Sequence, residues 1–164
     1  MLHRQADGKM PERSIKEITP EWLMENLLVN TIGPTMVLKH FGMKMTAPNK
    51  TEVDNGIATI ATLSARVGSI GDNNLGGWAS YRSAKAAQNS MTRTASLELK
   101  RKKVVVVALH PGTVDTDLSI PWQKGVKTLF TTDQCANYLL DVLEGLEIKD
   151  AGTFWDWEGK SIPW

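Results

Sequence analysis

The stretch Tyr81-Arg82-Ser83-Ala84-Lys85 places a phenol and an ammonium four residues apart. On a helix that spacing puts both side chains on one face, the proximity that proton transfer requires. A free tyrosine titrates near about 10 and is a poor acid or base at neutral pH. An adjacent ammonium favours the phenolate and lowers that value, so Lys85 is positioned to make Tyr81 a working acid–base group. The same pair also arises as a buried aromatic followed by a solvated lysine, so its meaning depends on the elements around it.

The elements that must position the pair follow from periodicity and punctuation. From Trp78 to about Lys100, Ala84, Ala87, Met91, Ala95 and Leu99 recur at spacings of three and four, which predicts a helix packed closely on a sheet. Before it, Gly56 to Leu63 is β-branched and nearly uncharged, the pattern of a central parallel strand buried on both faces. The Gly-, Ser-, Asn- and Asp-rich Ser64 to Gly77 reads as the loop after that strand's carboxyl end, where α/β sheets carry their sites. Lys103 to Leu109 predicts a second buried strand, stopped by His110-Pro111-Gly112.

Upstream, Thr19-Pro20-Glu21 opens a helix striped by Trp22, Leu23, Leu27 and Leu28 and continuing towards Gly42, with a bend expected at Gly33-Pro34. A polar loop spans Thr46 to Gly56. Downstream, Thr131 or Thr132 caps a helix bearing Ala136, Leu139, Leu140 and Leu143, ended by Gly145, and Thr153 to Trp157 forms a short last strand. Helix and strand alternate throughout, so the sheet is mostly parallel with crossover connections and the class is α/β.

Four motifs stand in order along these elements: Asn30-Thr31-Ile32-Gly33-Pro34, Ser64-Ala65-Arg66-Val67-Gly68-Ser69, Tyr81 to Lys85, and Pro111-Gly112-Thr113-Val114-Asp115-Thr116. In sequence and spacing they resemble the short-chain dehydrogenases/reductases. The segments Gly76 to Arg82 and Gly152 to Gly159, with Ile162-Pro163-Trp164, resemble the branch containing C-factor and sniffer-type carbonyl reductases. The resemblance implies the C-terminal part of a Rossmann-type, three-layer doubly wound parallel sheet. It further implies an NADP- or NAD-dependent oxidoreductase, NADP slightly preferred, that interconverts a small-molecule carbonyl and an alcohol. Tyr81 would exchange the proton at the substrate oxygen, and Lys85 would also hold the nicotinamide ribose. Asn30 would sustain a proton relay, and Pro111, Gly112, Val114 and Thr116 would face the nicotinamide carboxamide.

Two departures accompany the resemblance. The serine expected to polarise the substrate carbonyl falls on Ala65; Ser64, slightly preferred, or Ser69 would have to serve. Successive strand side chains face opposite ways, so Ser64 is not automatically equivalent. No Gly-rich turn between a strand and a helix occurs upstream, and Met1-Leu2-His3 looks like the run after the family's fourth strand. The expectation is a chain lacking the N-terminal βαβ units, with impaired dinucleotide binding, weak or no turnover alone, and an exposed edge at Ile57 to Leu63. The alternative is a non-catalytic interaction protein, forming a homo-oligomer or pairing with a full-length relative.

Bulk properties exclude other classes. With Lys+Arg 19 against Asp+Glu 18 the net charge is +1, which gives no field for nucleic acid, and Lys100 to Lys103 reads as a solvated helix end. The single cysteine, Cys135, excludes an internal disulfide and reads as a small buried residue. No run is long enough for a signal peptide or a membrane span, so a cytoplasmic location is expected, with Asn49-Lys50-Thr51 part of a polar loop. Asp117 to Phe130 falls at the family's mobile substrate-covering segment, and its apolar residues point to a substrate with hydrophobic bulk.

Overall fold

Val104, Val105, Val106 and Val107 are all wholly buried, and their alternation sets the architecture. Successive side chains on a strand point to opposite faces. Val104 and Val106 pack with Leu38 and Leu99, while Val105, Val107 and Leu109 pack with Leu139, Val142, Leu143 and Leu146. The strand holding them, β2 (Val104–His110), is therefore covered on both sides. Helices α1 (Pro20–Leu27), α2 (Gly33–Val37) and α3 (Ala79–Leu99) lie towards one side, and α4 (Thr132–Glu144) covers the other. The computed structural model describes residues 11–48, 56–117, 119–120 and 123–164. The Met1-Leu2-His3 run, Asn49-Lys50-Thr51, Leu118, Pro121 and Trp122 lie outside them.

Strands β1 (Ala58–Leu63) and β3 (Phe154–Asp156) flank β2, both parallel to it, in the order β1-β2-β3. The three-layer parallel α/β arrangement expected from the sequence is thus present. Both crossovers advance in the same direction across the sheet, yet α3 and α4 lie on opposite faces. Their hands are consequently opposite, so only one obeys the usual right-handed rule.

β1 is not central among the described residues. Among those residues it pairs with β2 alone, and Leu63 is 57% exposed. The apolar composition of β1 predicts burial on both faces, but within β1 only Thr62 is buried, because composition does not show whether a second neighbour is present.

The Gly33-Pro34 break is absorbed without ending the helix. Two wide π turns, Leu28–Ile32 and Leu38–Gly42, bracket α2, and the Gly33 N–H bonds to the Leu28 carbonyl. A lengthened turn accommodates a residue that cannot donate. Across α1 and the π turn after it, Trp22 is buried but Leu28 is 56% exposed, because Asn26 and Asn30 take the inward positions.

The stripe expected on α3 is only partly correct. Ala84 and Leu99 are buried, Ala87 and Ala95 are half-buried, and Met91 is exposed. The inward face is instead largely polar: Lys85, Gln88, Asn89, Thr92 and Ser96. These residues hydrogen-bond, as between the Thr62 and Thr92 hydroxyls at 2.8 Å, which removes the penalty of burying them. On α4, Thr131 forms a capping box with Gln134 and Cys135 is buried as expected, but Ala136 and Leu140 face solvent. Leu139, Val142 and Leu143 make the contact with β2 instead.

Candidate active site

Helix α3 carries the Tyr81–Lys85 pair at its N-terminal end, and that end is held from outside the helix. Its N-cap residue Trp78 has φ 55 and no side-chain cap of its own. Glu12 substitutes: its carboxylate accepts from the Ser80 hydroxyl and, at 3.3 Å, from the Ser80 N–H, while its carbonyl accepts from Trp78 N at 2.6 Å. A negative group at a helix N-terminus also complements the dipole. Arg82 then ties the helix to the loop before it, donating to the carbonyls of Val67, Gly76 and Gly77. Gly68 is required here: a Cβ on it would lie 2.6 Å from the Lys85 Cβ.

Tyr81 and Lys85 share a helix face but serve two cavities. Tyr81 lines an open cleft of about 310 Å³ at the carboxyl ends of β1 and β2. Ser64, Ala65, His110, Pro111, Gly112, Val114 and Thr116 line the same cleft. Lys85 and Asn30 line a second cavity of about 360 Å³ along the outer edge of β1, with Gln88, Leu63 and Pro34. The sequence-derived site residues therefore form two groups, one around the phenol and one around the ammonium.

The electrostatics differ from the sequence expectation. The Lys85 Nζ donates to the Leu63 carbonyl and the Gln88 Oε1, each at 2.8 Å, and lies 5.9 Å from the Tyr81 ring centroid. Burial pulls Lys85 down to about 8 and pushes Tyr81 up to about 12. Lys85 does not lower the Tyr81 value in this arrangement: burial dominates at the phenol, and the ammonium donates to a carbonyl and an amide oxygen. Tyr81 is accordingly a protonated donor at neutral pH.

The two serine alternatives separate cleanly. Ser69 donates to the Pro163 carbonyl at 2.5 Å and accepts from Asp72 N at 3.0 Å, so it fastens the C-terminal tail and does not line the cleft. Ser64 does line it, but its hydroxyl donates to Asn89 Oδ1 at 2.6 Å, away from any substrate. Neither occupies the role of a free donor. Asn30 is buried, its amide 3.5 Å from Asn26 Oδ1, inside the π turn that precedes Pro34.

The segment after β2 presents backbone to the cleft. Val114 bridges to Phe130 through the bonds Asp115 N to Phe130 O and Phe130 N to Thr113 O. Those bonds leave the peptide N–H and C=O of Val114 itself on the opposite side of the segment. Gly112, at φ +76, is packed so tightly that a Cβ would meet Phe130 at 2.8 Å and Trp157 at 2.9 Å.

A family model described as short chain dehydrogenase matches residues 8–127. The chain belongs to the short-chain dehydrogenase family. This short-chain dehydrogenase is 33% identical over 138 residues to C-signal of Myxococcus xanthus, covering 83% of this chain and 75% of that protein. Its fold is similar to the carbonyl reductase Sniffer of D. melanogaster, with a TM-score of 0.81 and 25% identity. An NADPH-bound carbonyl reductase from chicken fatty liver gives a TM-score of 0.79 and 32% identity. Each structural match covers 94% of this short-chain dehydrogenase but only 62% of the other chain.

Four contributors escaped the sequence reading: Gln88, Asn89, Glu12 and His110. Gln88 and Asn89 fall three and four residues after Lys85, so their place on the same face was available from spacing. Glu12 carried no local signal, because its partner lies 68 residues away. His110 was read only as part of the stop after β2.

Proposed function

We propose that this chain interconverts a carbonyl compound and an alcohol with a nicotinamide dinucleotide, Tyr81 handling the proton at the substrate oxygen. The observation that carries the reading is the convergence on one cleft of the Tyr81 phenol with Pro111, Gly112, Val114 and Thr116. A phenol protonated up to about 12 is the donor that carbonyl reduction needs. The peptide groups of Val114 fit a carboxamide, which requires one donor and one acceptor, so the nicotinamide end is assigned to this segment. The dinucleotide, when bound, supplies the hydride. Lys85 and Asn30, in the second cavity, are assigned to replenishing the Tyr81 proton from solvent.

NADPH is favoured over NADH by the similarity to an NADPH-bound carbonyl reductase. The cleft's largely apolar lining favours a substrate with hydrophobic bulk. A reducing, cytoplasmic setting accords with a single buried thiol, Cys135. Turnover by this chain is expected to be slow. Its cleft is assigned to the reacting end of the dinucleotide alone, and the match spans 62% of the related chains. Incubation with NADPH and a panel of aromatic aldehydes and ketones should give slow oxidation that Tyr81→Phe abolishes. Oxidation that is unchanged in Tyr81→Phe overturns the assignment.

A second reading is favoured by the edge of β1, which among the described residues pairs with β2 alone and is suited to accept a further strand. In that reading the chain associates with a second copy or a full-length relative. Size-exclusion chromatography at rising concentration, with and without such a relative, separates the two by apparent mass.

A further inference from the structure

Ala65 leaves the cleft without the donor that would face a substrate oxygen, and the two neighbouring serine hydroxyls donate elsewhere. The structure offers another group at the same level. On β2 the row Val104, Val106, Ala108 and His110 points to one face, and Val104 and Val106 on it pack towards α3. Along that face Val104 meets Leu99, Thr62 beside Ala108 bonds to Thr92, and Ser64 beyond it bonds to Asn89. Extending the row by one step brings His110 to the N-terminal end of α3, where it lines the cleft with Tyr81 and Ala65.

The imidazole is unusually committed. Its Nδ1 is enclosed without a hydrogen-bond partner, whereas Nε2 is not enclosed. An enclosed lone pair costs less than an enclosed N–H left unpaired, so the proton belongs on Nε2. Burial, and after it Arg66, hold the ring neutral down to about 4 against the opposing pull of Asp156. The outcome is a neutral donor with one fixed tautomer in the cleft.

We propose that His110 polarises the substrate carbonyl, its Nε2–H donating to the oxygen that Tyr81 protonates, in place of the hydroxyl absent at Ala65. The proposal rests on the functional reading above. Hydrogen-bond donation aimed at a developing oxyanion has the largest effect on the barrier of the roles available to this residue.

Single-turnover oxidation of NADPH by excess chain with benzaldehyde tests it, alongside nitrogen-15 NMR of histidine-labelled protein. His110→Ala should slow the reaction about 100-fold, and Ala65→Ser in that background should regain about tenfold. A purely structural role for His110 would not be rescued by a hydroxyl on another strand. NMR of the parent chain should show the Nε2–H tautomer at neutral pH. An Nδ1–H tautomer, a charged ring at neutral pH, or a His110→Ala variant as fast as the parent overturns the proposal and leaves the Tyr81 reading intact. Absence of Tyr81-dependent oxidation in the parent overturns both.

Discussion

The cleft at Tyr81 and the cavity at Lys85 are walled by the same helix yet are chemically opposite. In the cleft, a phenol with its proton and an imidazole without a hydrogen-bond partner face open space. In the cavity, an ammonium donates to a main-chain carbonyl and an amide oxygen. Two residues one helical turn apart can therefore be separated functionally by a single strand end, here Leu63. The cleft is arranged to act on something that enters it, and the cavity to hold a charge in place.

The largest expected effect that sharpens this contrast comes from Lys85→Met. Removing the ammonium should slow Tyr81-dependent turnover about 100-fold by cutting proton supply. Thermal stability should hold or rise, because a buried cation pulled down to about 8 is replaced by an apolar chain of similar length. Loss of stability in a thermal melt would show that Lys85 is structural and break the division into two roles.

The next effect is a pH dependence from the cleft. His110 has its value lowered from 6.5 to about 4 on folding, so protons bind the unfolded chain more readily in that window. Its stabilising contribution is complete above pH 6.5, falls as the pH drops towards about 4, and is flat below. The loss across the window is about 3 kcal/mol, since each tenfold difference in proton affinity between the folded and unfolded chain is worth about 1.4 kcal/mol. Urea unfolding of His110→Phe should lack this slope; an unchanged slope would place the titration elsewhere.

Smaller effects test the wall between the two regions and a site remote from both. Gly68→Ala drives a Cβ into Lys85 and should cost about 2 kcal/mol, read by urea unfolding. A cost near zero would mean the loop yields. Thr131→Ala removes the α4 capping box and should cost about 1 kcal/mol without altering turnover, which an assay of the variant checks.

Much of this arrangement was legible in the residues. The valine run of β2, the caps at Thr19 and Thr131, and the motif order place the strands, the helices and Tyr81 correctly. What failed were inferences from apolar spacing alone. On α3 the buried face is polar because the carbonyls of Leu63 and Gly68 and the hydroxyl of Thr62 offer partners, which a hydropathy pattern cannot register. The Tyr81–Lys85 electrostatics reversed for the same reason: Gln88 and a backbone carbonyl compete for the ammonium. Glu12 and His110 depend on contacts made only after folding.

Reduction of benzaldehyde with NADPH carrying deuterium at the transferable position tests the central claim most directly, with the alcohol analysed by mass spectrometry. The account predicts benzyl alcohol bearing one deuterium at its carbinol carbon from the parent chain and none from Tyr81→Phe. Unlabelled alcohol, no alcohol, or equal labelling by the two proteins would contradict it.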